Sequence, residues 1–167
     1  MAARNYGHYI LLEHHATHFH FDFRLQQGSV MASWAIPKGP SMIAGINRLA
    51  IEVPDHPLGY FEGVIPAGRY GAGHVFLRDK GYYEVPLGTD PEVGLAQGKL
   101  VFRLHGSKLK GSFELRRMPA PKARRHWLLI KQEDGFSDPS WQLKPLMEPR
   151  PKPWSNFRQQ FFKFDEQ

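Results

Sequence analysis

Hydrophobic and polar residues alternate along most of the chain, in short runs separated by Gly, Pro, Asn and Asp. Because successive side chains of a strand point to opposite faces, this period of two predicts strands that bury one face. Strands are predicted at residues 6–13, 18–26, 30–37, 48–53, 72–78, 81–86, 99–106, 111–118 and 126–133. The sequences "QQGS", "RDKG" and "HGSKLKG" are typical of hairpin turns, and "DPEVGLAQG" favours a short helical turn.

Short strands that are mostly adjacent in sequence predict an all-β fold with few short helices. We expect an antiparallel barrel or sandwich, since closing the sheet also removes its exposed edges.

The predicted domain covers residues 1–148, and residues 149–167 are predicted to be a Pro-rich spacer and an aromatic arm. Ser155 could cap a helix in this arm, with the phenylalanines at 157, 161 and 164 on one face. We expect the arm to fold back on its own domain or to dock onto another protein.

Composition narrows the chemistry and the partners. The chain has no cysteine, which excludes disulfides, thiolate metal ligands and cysteine nucleophiles, so any metal must use nitrogen and oxygen ligands. A net charge of +6 favours a polyanionic partner, with nucleic acid first, although a basic protein without such a partner has the same balance. No run of eighteen apolar residues and no secretory signal is present, so we expect a cytoplasmic protein without membrane contact, and a monomer.

Histidines are concentrated in "HHATHFHFDFRL", residues 14–25. Alternation from position 18 places His18, His20, Asp22 and Arg24 on one face of a predicted strand. It places Phe19, Phe21, Phe23 and Leu25 on the other. The aromatic face would be buried and the opposite face would display imidazoles, a carboxylate and a guanidinium. This face is either a chemical site or a half-solvated sheet surface without a role.

Reach along a strand limits which of these groups can share a metal ion. Side chains two residues apart lie about 7 Å apart and can bridge to one ion, whereas side chains four apart lie about 13 Å apart. His20 and Asp22 therefore can share an ion, and His18 and Asp22 cannot easily do so. A third ligand must come from elsewhere, and His14 or His15 in the preceding loop could supply it. Such a set suits Mn, Fe or Zn and leaves positions open for substrate and water.

Two other catalytic patterns are not supported. The glycine-rich stretch "FEGVIPAGRYGAGHV" lacks the Gly-Lys-Ser/Thr ending of a phosphate-binding loop, and no helical pattern follows it. Its glycines are better explained by sharp turns of the backbone between strands. The chain also has no Gly-x-Ser-x-Gly motif for an activated serine.

Several ordered motifs resemble the phosphoesterase domain of bacterial and archaeal DNA ligase D. They are His14 with Ala16, "HFDFRL", "SWAIPKGPS", "RLAIEVPDHPLGYFEGVIPAGRYGAG" and "HWLLIK", which together span roughly residues 9–132. The resemblance implies a small antiparallel β-barrel with its active site on a concave surface. It also implies a manganese-dependent 3′-phosphoesterase of DNA or RNA ends in double-strand break repair by non-homologous end joining. A phosphodiesterase step would remove a terminal ribonucleoside, and a phosphomonoesterase step would remove the 3′-phosphate.

The resemblance also implies roles for individual residues. His14, His20 and Asp22 match the metal ligands, for Mn²⁺ or another divalent ion such as Co²⁺ or Zn²⁺. Arg24 and His56 match residues around the scissile phosphate, where His56 could alternatively donate a proton to the leaving oxygen. Three further residues match positions associated with the same pocket, namely Lys38, Arg48 and Tyr60.

Two positions depart from the resemblance. Pro54 stands where a carboxylate is expected, which affects the diesterase step unless Glu52 or Asp55 substitutes. His18 stands where relatives commonly have arginine, which weakens the positive charge at neutral pH unless a nearby phosphate keeps the imidazole protonated. Most relatives are fused to ligase and polymerase modules, so this chain is expected to act alone or to recruit separate ligase, polymerase or end-binding proteins.

Two alternative functions come from other classes. A non-haem iron oxygenase could use His20 and Asp22 with a distant His74 or His105 as a facial triad. A non-catalytic nucleic-acid-binding barrel could use the basic run at 116–126 to contact phosphates. The arginines of that run are Arg116, Arg117, Arg124 and Arg125.

Overall fold

The computed structural model describes residues 4–119 and 125–149. Within them the chain forms nine strands and one helix. The strands are β1 (Tyr6–His15), β2 (Phe19–Gln27), β3 (Val30–Ile36), β4 (Asn47–Pro57), β5 (Gly63–Ile65), β6 (Gly73–Glu84), β7 (Lys99–His105), β8 (Lys110–Arg117) and β9 (His126–Lys131), and the helix is α1 (Pro91–Gln97). The predicted all-β class is therefore confirmed.

The strands form one antiparallel sheet that closes on itself. The order is β1-β2-β3-β4-β9-β8-β7-β6, and β6 pairs with β1 to close an eight-stranded barrel. β5 adds three residues to one edge of β6. Closure leaves the eight barrel strands with partners on both sides, which removes the edges along which sheets aggregate. The barrel predicted from the strand count and the resemblance is confirmed.

The interior of the barrel is filled by one face of every barrel strand. Phe21, Phe23 and Leu25 of β2 point inward, as the alternation predicted, and Phe23 is fully buried. Trp34 and Trp127 meet edge to face with centroids 5.7 Å apart. Burial of one such side chain contributes about 1.5–3 kcal/mol, so this face stabilises the fold and leaves the outer face free for other groups. A smaller apolar cluster lies on the outer face, made of Ile10, Leu12, Met31 and Val75.

Strand β6 corrects the predicted boundary at "RDKG". Residues 79–81 do not turn, because β1 pairs with β6 along its whole length, with one register shift near Leu12. Asp79 is buried and accepts hydrogen bonds from the Tyr9 hydroxyl and from three backbone N–H groups of the next hairpin. The backbone approaches so closely at Gly81 that a Cβ there would lie 2.0 Å from the His105 carbonyl oxygen. The two predicted strands are therefore one.

The other short elements follow their local signals. The predicted helical turn is α1, which Asp90 caps through a hydrogen bond from the Glu92 N–H, and Gly98 ends it in the left-handed region. The turns at "QQGS" and "HGSKLKG" connect β2 to β3 and β7 to β8. The sequence does not predict β5, because three residues are too few to show an alternation of hydrophobic and polar side chains.

The chain after β9 returns to one end of the barrel. Trp141 and Leu143 pack against the main core. The Leu146 N–H donates to both carboxylate oxygens of the fully buried Glu13, at 3.1 and 2.8 Å. The predicted aromatic arm lies outside the described residues. Among the residues described, no helix has the length and apolar character needed to cross a membrane.

Candidate metal centre

Three polar side chains come together on the outer face of β1 and β2. The register pairs His14 directly with His20, and Asp22 lies two residues further along the same face of β2. One ligand atom from each of the three can be chosen so that all lie within 4.8 Å of one another. His14 and His15 are both part of β1, rather than of a preceding loop. Because β1 extends this far, His14 supplies the third group predicted for the His20 and Asp22 pair.

Backbone carbonyl groups fix the tautomers of both histidines. His14 Nε2 lies 2.6 Å from the carbonyl oxygen of Gly71, and His20 Nδ1 lies 2.9 Å from that of His18. A carbonyl can only accept, so these nitrogens carry the hydrogens. The other ring nitrogens, His14 Nδ1 and His20 Nε2, lie 3.2 and 3.1 Å from the two carboxylate oxygens of Asp22. In neutral imidazoles these nitrogens have lone pairs that face an anion, so the arrangement needs a proton or a metal cation between them.

The electrostatics of the cluster agree with this arrangement. Burial alone would lower the pKa of His20, but the Asp22 carboxylate and the His18 carbonyl outweigh it, so this pKa lies above its usual value. Burial alone would raise the pKa of Asp22, but His20 and His14 hold it well below its usual range. Asp22 is therefore ionised, and it attracts positive charge into the site.

A cavity of about 590 Å³ opens beside these three groups. Arg24 and His56 line it, together with Tyr60. Arg24 Nε is buried and has no hydrogen-bond partner among the described residues. Burial lowers the pKa of Arg24, and the nearby Asp22 carboxylate partly offsets that effect. The cavity thus holds an unsatisfied cationic donor next to a candidate metal cluster, which suits an anionic ligand.

The pKa of His56 lies below its usual value in the ligand-free protein. Its pKa is lowered by burial and by the positive charge of Arg24, with Asp22 acting in the opposite direction. A bound anion would supply further negative charge and raise this pKa. His56 is therefore placed to gain or lose a proton when an anion enters the cavity.

Two of the predicted pocket residues do not reach this cavity. Lys38 is exposed in the turn after β3 and does not line it. Arg48 is also absent from the lining, since it shares the inward-facing parity of Ala50 on β4. Strand alternation therefore directs Arg48 away from the outer face that bears the metal cluster.

The neighbouring histidines have other environments. His15 points to the opposite face of β1, where its Nε2 lies 2.5 Å from a carboxylate oxygen of Glu13. Glu13 also pairs with Arg78. His18 is buried, does not line the cavity, and contributes its backbone carbonyl to the orientation of His20.

No substitute carboxylate for Pro54 enters the cavity. Glu52 and Asp55 line a separate groove with Pro54, Arg117 and Arg125. Among the described residues that line the cavity, Asp22 is the single carboxylate. Neither Glu52 nor Asp55 therefore replaces, within the cavity, the carboxylate that is expected at position 54.

The histidines of the alternative facial triad lie elsewhere. His74 stacks on Phe76 at 4.0 Å, and His105 is 2.7 Å from Glu84 and stacks on Tyr82. Neither joins the cluster of His14, His20 and Asp22. This geometry disfavours an oxygenase that would use either of them as its third ligand.

The basic run at 116–126, which begins at the end of β8, is partly engaged in the fold. Both Arg116 Nε and a terminal nitrogen bond Glu114, at 2.9 and 2.8 Å. Arg117 donates to the carbonyl oxygens of Leu95 and Ala96 and lies over the Trp127 ring at 5.0 Å. Arg125 lines the groove beside β4, and Arg124 lies outside the described residues. Arg117 therefore has a structural role that the sequence did not indicate.

Sequence reasoning missed the segment that covers the cavity. Leu58, Phe61, Val64 and Tyr70 line it, and all four are exposed. Turns alone do not account for the glycine-rich stretch, because the Gly71 carbonyl orients His14. The signal for a ligand-binding surface in this segment is its large apolar residues, which follow neither strand nor helix periodicity. Such residues, when exposed together, indicate a surface that a ligand or partner covers.

Fold and site together define a closed antiparallel β-barrel with a two-histidine, one-aspartate cluster beside a buried arginine. The family described as the DNA Ligase D 3′-phosphoesterase domain matches residues 12–117. The chain belongs to this family, which confirms the resemblance seen in its motifs.

Individual relatives extend the match over most of the chain. It is 45% identical over 129 residues, or 76% of its length, to the multifunctional non-homologous end joining protein LigD of Pseudomonas aeruginosa. It is 40% identical over 123 residues to that of Mycobacterium bovis and 35% identical over 145 residues to that of Mycolicibacterium smegmatis. The matched region is only 15%, 16% and 18% of these relatives.

Proposed function

We propose that this chain is a divalent-metal-dependent phosphoesterase that processes the 3′ ends of DNA, including ends tipped with ribonucleotides. The observation that carries the proposal is the arrangement of His14 Nδ1 and His20 Nε2 around the Asp22 carboxylate, next to the unpartnered Arg24 Nε. The family description and the names of the relatives support phosphate ester chemistry and a place in non-homologous end joining. The reaction is hydrolysis of a phosphate ester.

The donor set fits Mn²⁺, and also Co²⁺ or Zn²⁺. Two imidazoles and one carboxylate are ligands that these ions accept, with positions left open for substrate and water. When bound, the ion supplies Lewis-acid polarisation of a phosphate oxygen. Gly71 and His18 would not bind the ion themselves. Their backbone carbonyl groups orient the rings of His14 and His20 so that the ligand nitrogens face Asp22.

The remaining steps are assigned to side chains of the cavity. Arg24 binds non-bridging oxygens of the phosphate and stabilises the charge that develops on them. His56, whose pKa rises when the anionic phosphate enters, gives its proton to the leaving oxygen. Tyr60 lines the same cavity and contacts the substrate. Arg116, Arg124 and Arg125 would contact the DNA backbone.

The test uses primer-template DNA that ends either in a 3′-phosphate or in a terminal ribonucleoside. Each substrate is incubated with the protein and Mn²⁺, Co²⁺, Zn²⁺, Mg²⁺ or EDTA, and the end products are separated by electrophoresis. We expect metal-dependent release of phosphate, abolished in Asp22→Asn. Removal of the phosphate but not of the ribonucleoside would assign the loss of the diesterase step to Pro54. An unchanged 3′-phosphate with every metal would contradict the proposed function.

A further inference from the structure

Three aromatic side chains line the cavity that also holds the metal cluster, namely Tyr60, Phe61 and Tyr70. They are 40%, 52% and 63% exposed, and we refer to them together as the aromatic wall. Large aromatic residues grouped at one site and open to solvent are typical of surfaces that bind a ligand. The wall and the metal cluster share one cavity, so the same ligand can contact both.

The wall is held in place by its own segment and by neighbouring strands. A Cβ at Gly63, which has φ of 129°, would lie 3.3 Å from Phe61 Cζ, so the Phe61 ring rests against a position that only glycine suits. Between them, the Glu62 carboxylate accepts a hydrogen bond from the Leu77 N–H of β6 at 2.9 Å. Lys80 Nζ lies 5.9 Å from the centroid of the Tyr60 ring, which is cation–π geometry.

The cavity is larger than an ion and one phosphate group require. Its volume of about 590 Å³ falls within the range of sites that enclose a small organic molecule. Tyr70 lines the same cavity as His14, His20 and Asp22. Burial and the Asp22 charge raise the pKa of Tyr70 to about 12. The space between the cluster and the wall therefore adjoins the position proposed for the scissile phosphate.

We propose that the aromatic wall stacks on the base of the 3′-terminal nucleoside, the part of the substrate that leaves in the diesterase step. This inference rests on the proposed function and adds a subsite to it. The 3′-terminal nucleoside is joined to the strand by a single phosphodiester, so it can enter the cavity while the rest of the strand remains outside. Stacking accepts every base, because each has a π face, so the subsite is tolerant of sequence.

The test compares two ends that differ only in the leaving group. One single strand ends in a ribonucleoside that carries 2-aminopurine, and the other has the same sequence but ends in a 3′-phosphate. The variant is Phe61→Leu, with Phe61→Tyr as the conservative replacement that keeps the ring. The matched control is Phe136→Leu, since Phe136 is exposed to a similar extent, 48%, and does not line the cavity.

We expect Phe61→Leu to raise KM for ribonucleoside removal by roughly five- to hundredfold, the range that loss of base stacking produces. Release of the 3′-phosphate, which has no leaving base, should keep its KM. Phe61→Tyr and Phe136→Leu should match the parent on both substrates. An equal loss on both substrates, or no loss on either, would overturn the subsite.

A binding measurement separates this inference from the proposed function. Fluorescence of the terminal 2-aminopurine is followed with EDTA present, so that no turnover occurs. We expect quenching by the parent and by Phe61→Tyr, and weaker binding by Phe61→Leu. A parent that processes neither end would contradict the proposed function, and the fluorescence would still decide the subsite: binding unchanged in Phe61→Leu overturns it.

Discussion

Replacement of two adjacent histidines should separate metal binding from fold stability. His14 and His15 are neighbours on β1, but the first faces Asp22 and the second faces the buried Glu13. His14→Ala removes one of the three proposed ligands. His15→Ala leaves all three and removes one partner of a fully buried carboxylate, which keeps Arg78 and the Leu146 N–H.

The expected magnitudes follow from linkage between binding and folding. Mn²⁺ at about 100 times its Kd stabilises the parent by about 2.7 kcal/mol. At about 2–4 °C per kcal/mol for a domain of this size, this raises Tm by about 5–11 °C. If loss of His14 weakens binding about 100-fold, the same Mn²⁺ concentration adds only about 0.4 kcal/mol, or about 1–2 °C. His15→Ala should lower the metal-free Tm, because weakening the hydrogen bonding of a buried group costs about 1–3 kcal/mol.

The assay is thermal unfolding of parent and both variants in EDTA and in excess Mn²⁺, with bound manganese counted by electron paramagnetic resonance. We expect the Mn²⁺-induced shift in Tm to fall to about 1–2 °C in His14→Ala and to keep its full size in His15→Ala, which starts from a lower Tm. His14→Ala with the full shift would refute the ligand assignment. A His15→Ala variant that loses the shift without unfolding would refute the separation of the two faces of β1.

Three further expectations concern the metal cluster and the packing of the barrel interior. Because the pKa of His20 is raised in the metal-free protein, a proton competes with the metal at low pH. Mn²⁺ affinity should therefore fall as pH decreases through that pKa, by up to about tenfold per unit for one displaced proton, while Asp22 stays ionised. Calorimetric titration across this range checks it, and a flat profile would contradict it. Gly71→Ala should weaken Mn²⁺ binding by about 10- to 100-fold, since φ at Gly71 is 74° and a Cβ would lie 3.1 Å from His14 Cε1. Equal affinity in parent and variant would remove the orienting role of that carbonyl. Phe23→Ala should cost about 3–5 kcal/mol in denaturant unfolding, with Mn²⁺ affinity retained in the folded fraction, and a variant that melts like the parent would contradict the inward packing.

Alternation along β2 was sufficient to predict both of its faces. Phe21 and Phe23 could be assigned inward, and His20 and Asp22 outward, because burial on one side of a strand fixes the register of the whole strand. The choice between His14 and His15 needed the family resemblance. From residues alone it depends on how far β1 extends before the turn, and strand ends are set by pairing with partners distant in sequence.

The parts of the fold and site that the sequence did not predict depend on contacts between residues distant in sequence. The predicted turn at 78–81 contains residues common in turns, but pairing with β1 keeps it extended and buries Asp79. Phe61 and Tyr70 belong to a segment without periodicity, so their position over the cavity depends on the return of the chain from β4 to β6. The sequence alone favours a phosphate contact for Arg117, because it does not show that the carbonyl groups of Leu95 and Ala96 lie nearby.

Closure of the barrel through β1 and β6 has a consequence for folding kinetics. His14 lies on the closing strand, opposite Val75 of β6, and the carbonyl that orients it belongs to Gly71, just before β6 begins. These contacts join segments about sixty residues apart in sequence, and such non-local pairings form slowly. High-affinity Mn²⁺ binding during refolding should therefore appear only in the phase in which β1 pairs with β6 and the barrel closes. Mn²⁺ binding would then serve as a probe of barrel closure.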